Sequence, residues 1–310
     1  MKDSLVAFCF PGQGSLAVGM GREVAAAVPE AMDVFDRGSE AAGLDLRRLC
    51  FEASEEELVE TEVQQPALVA TSLAVLAAIR ARGIKPDVVV GHSVGEFAAL
   101  AAAGALKIED AIGLVRERGL AMAEAARKNP GSMAAILGLE DEAVERICRR
   151  ILNVWPANYN CPGQIVVSGE NGAVDEACET AEEEGARRAV KLRVSGAFHS
   201  PLVARAADRL RPALDRVKFS EPSAPFMSTV TARIETARRM GPLLVEQLTA
   251  PVRFTHAAQA LVRDGAHTFV EVGPGNVLAG LVKRIDRSVK TISVSTPEEI
   301  DKLEETLASA

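Results

Sequence analysis

The chain has 310 residues, of which 48% are hydrophobic and 25% are charged, as in an ordinary soluble globular protein. Its 35 basic and 43 acidic residues give a formal net charge of −8, which argues against binding to nucleic acid or to an anionic membrane surface. The 24 glycines and 15 prolines exclude a wholly disordered or collagen-like chain. The length fits one large domain or two of moderate size.

The sequence shows no signal for export or for a membrane span. The apolar stretch Phe97–Leu106 is about half of the roughly 20 residues that a span requires. The apolar run Leu5–Phe10 ends at Pro11 and is too short for the core of a signal peptide. The five cysteines form no C-x-x-C pair, so we predict free thiols and neither a disulfide framework nor a metal site. We therefore expect a cytoplasmic protein.

Apolar runs rich in β-branched residues alternate with helical patterns, which predicts an α/β fold with a mainly parallel sheet. Leu5–Phe10 is predicted as a buried first strand and Asp87–Val90 as the second. A long helix is expected from Pro66 to Gly83, with proline in its first turn and glycine just after its end. Two further helices are expected at Phe97–Ala103 and Glu109–Arg127.

The pattern changes at Asn129-Pro-Gly131. The order strand-helix-strand-strand-helix-strand follows, at Ser132–Leu137, Asp141–Arg150, Asn153–Tyr159, Ile165–Ser168, Val174–Glu184 and Ala189–Val194. This order is that of a ferredoxin-like unit. The first pattern then resumes, with helices near Leu202–Leu214, Ala237–Leu248 and Thr255–Arg263, a strand at Thr268–Val272 and a last helix after Gly275. We predict a core of residues 1–128 and 196–310 with a small subdomain inserted at 129–195.

The pentapeptide from Gly91 to Gly95 has the G-x-S-x-G pattern and lies between a predicted strand and a predicted helix. In this context the pattern indicates a nucleophile elbow, a turn so tight that flanking side chains must be absent. Backbone N–H groups at the start of the following helix can stabilise an oxyanion. We predict Ser93 as a nucleophile; the alternative is a glycine-rich turn that contains an incidental serine.

A serine nucleophile needs a base, and the chain has four histidines. His92 adjoins the serine in a turn where neighbouring side chains diverge, His256 falls in a helical pattern, and His267 opens a strand. His199 lies in the irregular segment between the inserted unit and the returning core, and functional residues favour such loops. His199 is therefore the predicted base. No acidic residue stands out as a third member, so a backbone carbonyl is an equally good partner.

A glycine-rich loop, Pro11–Ser15, directly follows the first strand. Its glycines allow the backbone to approach a ligand closely, and Gln13 is a candidate donor to an oxyanion. The spacing from Gly12 to Ala17 also fits a dinucleotide fingerprint. That fingerprint expects an acidic residue about 20 residues further on, at the end of a second strand. Asp33 and Asp36 fall in a helical pattern instead, which argues against a dinucleotide cofactor.

Six motifs occur in order: Phe10–Ser15, Gly91–Phe97, Arg116–Gly119, Pro156–Gln164, Ser195–Pro201 and Glu271–Gly275. With them, the chain resembles the malonyl-CoA:acyl carrier protein transacylase family from the first strand to about Ile285. The resemblance implies a hydrolase-like α/β core with an inserted ferredoxin-like (βαββαβ) subdomain. It further implies that malonyl passes from malonyl-CoA to the phosphopantetheine thiol of an acyl carrier protein, through a malonyl-serine ester. This reaction supplies fatty acid synthesis without a metal or redox cofactor.

By the same resemblance, Ser93 is the nucleophile and His199 is the base. The backbone amides of Gln13 and Val94 form the oxyanion hole, and Arg118 pairs with the free malonyl carboxylate.

Other matched positions concern the pocket around these groups. His92, Phe198 and Asn160 match residues that line the substrate pocket, and Arg253 matches a backbone carbonyl that orients the histidine. Leu16 departs from the family, which usually has a glutamine at this position.

Ala189–Val194 alternates apolar residues with Lys191 and Arg193, which predicts a strand with one basic face. Carrier proteins of this pathway are generally acidic, so we predict docking on this face; the alternative is an ordinary solvated strand. Three other functions stay open: a serine esterase or thioesterase, a silent carrier-binding subunit, and the malonyltransferase of a polyketide or malonate decarboxylase system. We expect a monomer.

Overall fold

The structure, a computed structural model, describes residues 5–308. Its strands are β1 (Leu5–Phe10), β2 (Val88–Gly91), β3 (Ser132–Leu137), β4 (Val154–Cys161), β5 (Gln164–Gly169), β6 (Arg188–Lys191), β7 (Phe226–Ser228), β8 (Arg233–Glu235), β9 (Ala266–Val272) and β10 (Lys290–Val294). Its α-helices are α1 (Arg22–Ala27), α2 (Pro29–Ala42), α3 (Leu46–Glu52), α4 (Glu55–Leu58), α5 (Thr61–Ala81), α6 (Gly95–Ala102), α7 (Ile108–Lys128), α8 (Asp141–Arg150), α9 (Asn171–Glu183), α10 (Ala204–Asp215), α11 (Ala237–Glu246), α12 (Phe254–Arg263), α13 (Val277–Ile285) and α14 (Pro297–Ala308).

The larger sheet has the strand order β10-β9-β1-β2-β7-β8, in which only the β7–β8 pair is antiparallel among the described strands. Alternate residues of its central strand β1 enter different cores. Phe8 and Phe10 belong to a first core cluster shared with α5, α6 and α7. Ala7 and Cys9 belong to a second core cluster shared with α12 and α13. Both faces are therefore covered, as expected for a mainly parallel sheet, and the predicted α/β class is confirmed.

The smaller sheet is antiparallel, with the order β4-β5-β3-β6. The six elements follow one another as the sequence predicts, and this strand order is that of a ferredoxin-like unit. Ala134 and Ile136 of β3 face α8 and α9 in a third core cluster. Met133 and Ala135, on the opposite face, join the first core cluster. The small sheet thus packs on the larger core, and the exact boundaries at residues 129 and 195 stay a prediction.

The long helix α5 begins at Thr61, five residues before the start that the sequence predicts at Pro66. A proline inside a helix lacks the N–H that would bond to the carbonyl four residues earlier. Here that carbonyl, of Glu62, accepts a hydrogen bond of 2.6 Å from Nη1 of Arg116. The side chain of α7 therefore replaces the missing helical bond, and the helix continues through the proline.

The remaining differences concern strand ends and the last part of the chain. Strand β6 ends at Lys191, not at Val194, because the N–H of Val194 turns back to the carbonyl of Leu192 at 3.0 Å. Strand β4 continues to Cys161, two residues beyond the predicted end at Tyr159. The short strands β7 and β8 and the pair β10 and α14 were not predicted.

Among the described residues, α5 is the one helix long and apolar enough to cross a membrane by length and composition. The sequence prediction considered shorter apolar stretches and missed it. In the structure, 83% of its most apolar window is buried inside the protein, where it packs between α2 and α7. This position is that of a core helix.

Candidate active site

Ser93 lies in the turn between β2 and α6, at the carboxyl end of the central strands. Its φ is 53°, a left-handed conformation that is uncommon for a residue other than glycine. The turn is closed on both sides by backbone, because a Cβ on Gly91 would overlap the backbone of Gly95. A Cβ on Gly95 would overlap the carbonyl oxygen of Phe10. The predicted strand-turn-helix elbow is therefore present, and its two glycines are sterically required.

His199 meets Ser93 from the loop that follows the small sheet. Its Nε2 lies 2.8 Å from Oγ of Ser93. Its Nδ1 lies 2.8 Å from the carbonyl oxygen of Gln247 and 3.2 Å from that of Ala250. Since two carbonyl oxygens can only accept, Nδ1 carries the proton and Nε2 is free to accept the serine proton. Burial, and then the charge of Arg118, lower the pKa of His199 to about 3, so the ring is neutral at neutral pH.

The prediction that the carbonyl of Arg253 orients this histidine is wrong. That carbonyl begins helix α12 and accepts a hydrogen bond of 3.0 Å from the N–H of Ala257. The Arg253 side chain instead lies over the ring of Tyr159, at 5.7 Å from its centroid. The orienting carbonyls are those of Gln247 and Ala250, in the turn after α11.

Arg118 reaches Ser93 from the middle of α7 and is 0% exposed. Its Nη2 donates to Oγ of Ser93 at 3.1 Å and to Oε1 of Gln247 at 3.0 Å. Its Nη1 donates to Oε1 of Gln65 at 2.6 Å, while the buried Nε has no partner among the described residues. Burial lowers the pKa of Arg118 to about 9, against the opposing charge of Glu96. A buried guanidinium held only by neutral groups is suited to receive a carboxylate.

Three polar residues of this network were missed by the sequence analysis: Gln65, Glu96 and Gln247. Glu96 is fully buried and accepts hydrogen bonds from the N–H and the Oγ1 of Thr229, at 2.6 and 2.9 Å, and from Nε2 of Gln247. Burial raises the pKa of Glu96 to about 7. Glu96 lies inside the Gly91–Phe97 motif, so the motif carried a signal for it. The two glutamines lie in ordinary helical patterns, which carry none.

The glycine-rich loop after β1 lies directly against the elbow. β1 and β2 are parallel neighbours, with Phe10 beside Gly91, and a Cβ on Gly12 would lie 2.6 Å from the carbonyl oxygen of His92. Within residues 5–308, the backbone N–H groups of Gln13 and Val94 donate to no protein acceptor. Both are therefore available to a ligand. Their role as oxyanion donors stays a prediction.

The other predicted pocket residues divide into two groups. His92 and Asn160 are joined, with Nε2 of His92 at 2.9 Å from Oδ1 of Asn160, and this pair links the elbow to β4 of the small sheet. Phe198 is 3% exposed and packs in the first core cluster near Gly196. Its contribution to substrate choice stays a prediction.

A cavity of about 620 Å³ opens between the glycine-rich loop, the start of α5 and the segment after β6. Its lining includes Gln13, Leu16, Gln64 and Arg193, and Nε2 of Gln13 donates to Oε1 of Gln64 at 2.7 Å. Lys191, the other residue of the predicted basic face, is paired with Asp175. The two basic residues therefore differ: Lys191 has an acidic partner, whereas Arg193 lines a cavity whose wall also carries Glu55 and Glu56.

Comparison with known proteins shows the family of this chain. Residues 7–298 match the acyl transferase domain family. A malonyl CoA-acyl carrier protein transacylase of Bacillus subtilis is 46% identical over 309 residues, 98% of each chain. The chain belongs to the malonyl-CoA:acyl carrier protein transacylase family. The structure of a family member from Coxiella burnetii is similar with a TM-score of 0.95 and 39% identity, over 97% of each chain.

A second solved structure of this family holds a partner. It is a malonyl-transacylase in complex with a type II PKS acyl-carrier protein, similar with a TM-score of 0.94 and 37% identity over 98% of this chain and 100% of that one. The high similarity confirms the hydrolase-like core with its second, antiparallel sheet as the fold of this family.

The surroundings of two glycines, one in the elbow and one in α13, predict opposite effects of alanine on the free energy of unfolding. Gly95→Ala is expected to lower the free energy of unfolding by at least about 2 kcal/mol, because overpacking costs roughly 1–3 kcal/mol and the neighbour here is backbone. Gly280→Ala, in α13 where a Cβ meets nothing within 4 Å, is expected to raise it by about 0.5–1 kcal/mol. Urea unfolding of both variants measures this; an unchanged midpoint for Gly95→Ala contradicts the steric argument.

Proposed function

We propose that this protein transfers the malonyl group from malonyl-CoA to the phosphopantetheine thiol of an acyl carrier protein, and so supplies fatty acid synthesis. The observation that carries this proposal is the buried Arg118, whose Nη2 lies 3.1 Å from Oγ of Ser93. A Ser93–His199 pair alone suits any acyl transfer or hydrolysis. A guanidinium beside it selects an acyl group with a free carboxylate, which is what distinguishes malonyl from acetyl.

In the first half-reaction, Oγ of Ser93 attacks the thioester carbonyl carbon while Nε2 of His199 takes its proton. The negative charge that develops on the carbonyl oxygen is placed at the N–H groups of Gln13 and Val94. The C–S bond then breaks, the coenzyme A thiolate takes the proton from His199, and a malonyl ester remains on Ser93. Arg118 donates two parallel N–H groups to the malonyl carboxylate.

The second half-reaction runs the same steps with a different thiol. The phosphopantetheine thiol of the carrier protein gives its proton to His199 and attacks the ester carbonyl. Oγ of Ser93 leaves, takes the proton back, and the malonyl thioester departs with the carrier. These atoms and protons balance without a further group, so we propose that the protein has no resident cofactor. Ser93 and His199 are 8% and 5% exposed, which limits competition from water.

Related functions are distinguished by the same site. The hydrolysis of an ordinary ester or thioester does not require a buried cation beside the nucleophile. The presence of Arg118 is therefore evidence against a serine esterase or thioesterase. A malonyltransferase of a polyketide system needs the same groups, and the similarity to a complex with a type II PKS acyl-carrier protein favours this form as the second candidate. We also propose a cytoplasmic location, which suits the five free cysteines within the described residues. The monomeric state stays a prediction.

The Ser93–His199 pair yields a prediction for intact-mass measurements. Wild-type protein mixed with malonyl-CoA is expected to gain one malonyl group and to lose it when carrier protein is added. Ser93→Ala is expected to gain none. His199→Ala is expected to form the adduct roughly 10²–10⁴-fold more slowly, the usual contribution of a positioned general base. Rapid loss of the adduct to water in wild type favours a hydrolase, and an adduct in Ser93→Ala contradicts the assignment.

Arg118 yields a prediction about the choice between acyl groups. Arg118→Ala is expected to lower kcat/KM for malonyl-CoA by an amount that corresponds to about 2–5 kcal/mol of transition-state stabilisation. This is the range for truncating one member of a buried charge pair. Transfer from acetyl-CoA, which has no carboxylate, is expected to persist or improve. Steady-state kinetics with both substrates measures the change.

A matched substitution separates charge from geometry at this position. Arg118→Lys keeps the charge but loses the planar pair of donors, so its malonyl transfer is expected to fall between wild type and Arg118→Ala. An equal loss of malonyl and acetyl transfer in Arg118→Ala means that Arg118 is structural and that another group binds the carboxylate.

The position of Arg193 in the wall of the cavity yields a prediction about carrier-protein docking. Arg193→Glu is expected to raise the KM for an acidic carrier protein about 2- to 5-fold at low salt, the effect of one exposed charge. Lys191→Glu is the matched control and is expected to change it less, because Lys191 is already paired with Asp175. Neither variant is expected to slow acylation by malonyl-CoA. Equal effects of the two variants contradict a specific role for Arg193.

A further inference from the structure

A buried carboxylate, that of Glu96, lies behind the reacting groups and is not used in the mechanism above. We propose that Glu96 is a positioning residue for malonyl selection, which acts through the side-chain amide of Gln247 to hold Arg118 in place. The inference rests on the proposed function, since it concerns how the malonyl carboxylate is recognised.

The direction of the hydrogen bonds supports this role. An ionised carboxylate only accepts; Oε1 of Glu96 takes the N–H and hydroxyl of Thr229, and Oε2 takes Nε2 of Gln247. The same Nε2 donates to the carbonyl oxygen of Ser93 at 3.0 Å. With its NH₂ group held on that side, Gln247 must present Oε1 to the other side. There Oε1 accepts the hydrogen bond from Nη2 of Arg118, at 3.0 Å.

The reversed orientation of the amide is unfavourable. A Gln247 side chain turned by 180° would place its NH₂ group against the guanidinium of Arg118, which has donors only. It would also leave the carbonyl of Ser93 facing an oxygen. Glu96 thus acts together with the Ser93 carbonyl and the guanidinium to hold the amide in one orientation, and the amide oxygen holds Nη2 of Arg118 beside Oγ of Ser93.

Charge supports the same conclusion. Glu96 opposes the effect of burial on the pKa of Arg118, although no carboxylate of the described residues hydrogen-bonds to Arg118. A carboxylate with a raised pKa favours folding below its ordinary pKa, and this contribution is lost as pH rises to about 7. Above about pH 7, where Glu96 is mostly ionised, its charge therefore has a cost in stability, which is consistent with a role in function.

The test is the ratio of kcat/KM for malonyl-CoA to that for acetyl-CoA in a double-mutant cycle. Glu96→Gln keeps the shape but places an NH₂ group where Oε1 or Oε2 accepts, which weakens the hold on the Gln247 amide from the Glu96 side. In the wild-type background the ratio is expected to fall about 10-fold, within the usual coupling of residues in one hydrogen-bond network. In the Arg118→Ala background it is expected to change less than about twofold, because the group through which Glu96 acts is gone.

A matched control addresses the loss of any buried carboxylate. Glu271 is also buried with a raised pKa, but it accepts from the N–H groups of Leu278 and Ala279 at the start of α13. Glu271→Gln is expected to leave the ratio unchanged. If Glu96→Gln does not fold, Gln247→Met removes the amide while keeping the backbone carbonyl on His199. The same fall in ratio and the same loss of effect in the Arg118→Ala background are expected.

Three results overturn the proposal: an unchanged ratio in the folded Glu96→Gln or Gln247→Met variant, an equal fall in the Arg118→Ala background, or an equal fall in Glu271→Gln. Failure of the proposed function is a different result, because wild-type protein would then not transfer malonyl to the carrier at all.

Discussion

The site depends on one electrostatic constraint, the burial of the positive charge of Arg118 within hydrogen-bond distance of Oγ of Ser93. An unpaired buried charge is costly. Here the charge is stabilised by hydrogen bonds to the amide oxygens of Gln65 and Gln247 and by the more distant carboxylate of Glu96. The same charge helps to keep His199 neutral, which leaves its Nε2 free to take the serine proton. In the proposed reaction, the buried cation therefore has two effects: it binds the substrate carboxylate, and it helps to keep the base neutral.

The backbone supplies the other half of the site. Because β1 and β2 are parallel neighbours, their carboxyl ends meet, and the loop after β1 lies against the turn after β2. That turn holds Ser93 in a left-handed conformation, and a side chain at Gly91 or Gly95 would overlap neighbouring backbone. The small sheet contributes from the opposite side through Asn160 on His92. The reacting groups thus lie where the two sheets approach each other.

The sequence was sufficient for features that depend on local pattern. The first strand, the elbow at Ser93 and the order of the ferredoxin-like unit follow from short runs of residues, and each is present. What it missed depends on contacts between distant segments. The carbonyls that accept the hydrogen bond from Nδ1 of His199 are those of Gln247 and Ala250. The carbonyl of Arg253 instead accepts the first hydrogen bond of helix α12. Helix α5 runs through Pro66 because Arg116 of another helix takes the free carbonyl.

The arrangement around Arg118 also explains why its countercharge is indirect. A carboxylate in direct contact with the guanidinium would form a strong, charge-assisted pair and would compete with the malonyl carboxylate for the same donors. Amide oxygens are weaker partners, and those of Gln65 and Gln247 leave Nε of Arg118 without a partner among the described residues, so a donor stays open to a carboxylate. Glu96 lies one amide away, bonded to Gln247 and not to Arg118, so it supports the positive charge without occupying its donors. In the proposed mechanism, selectivity for malonyl then follows from the separation between the charges of Arg118 and Glu96 as much as from the presence of the arginine.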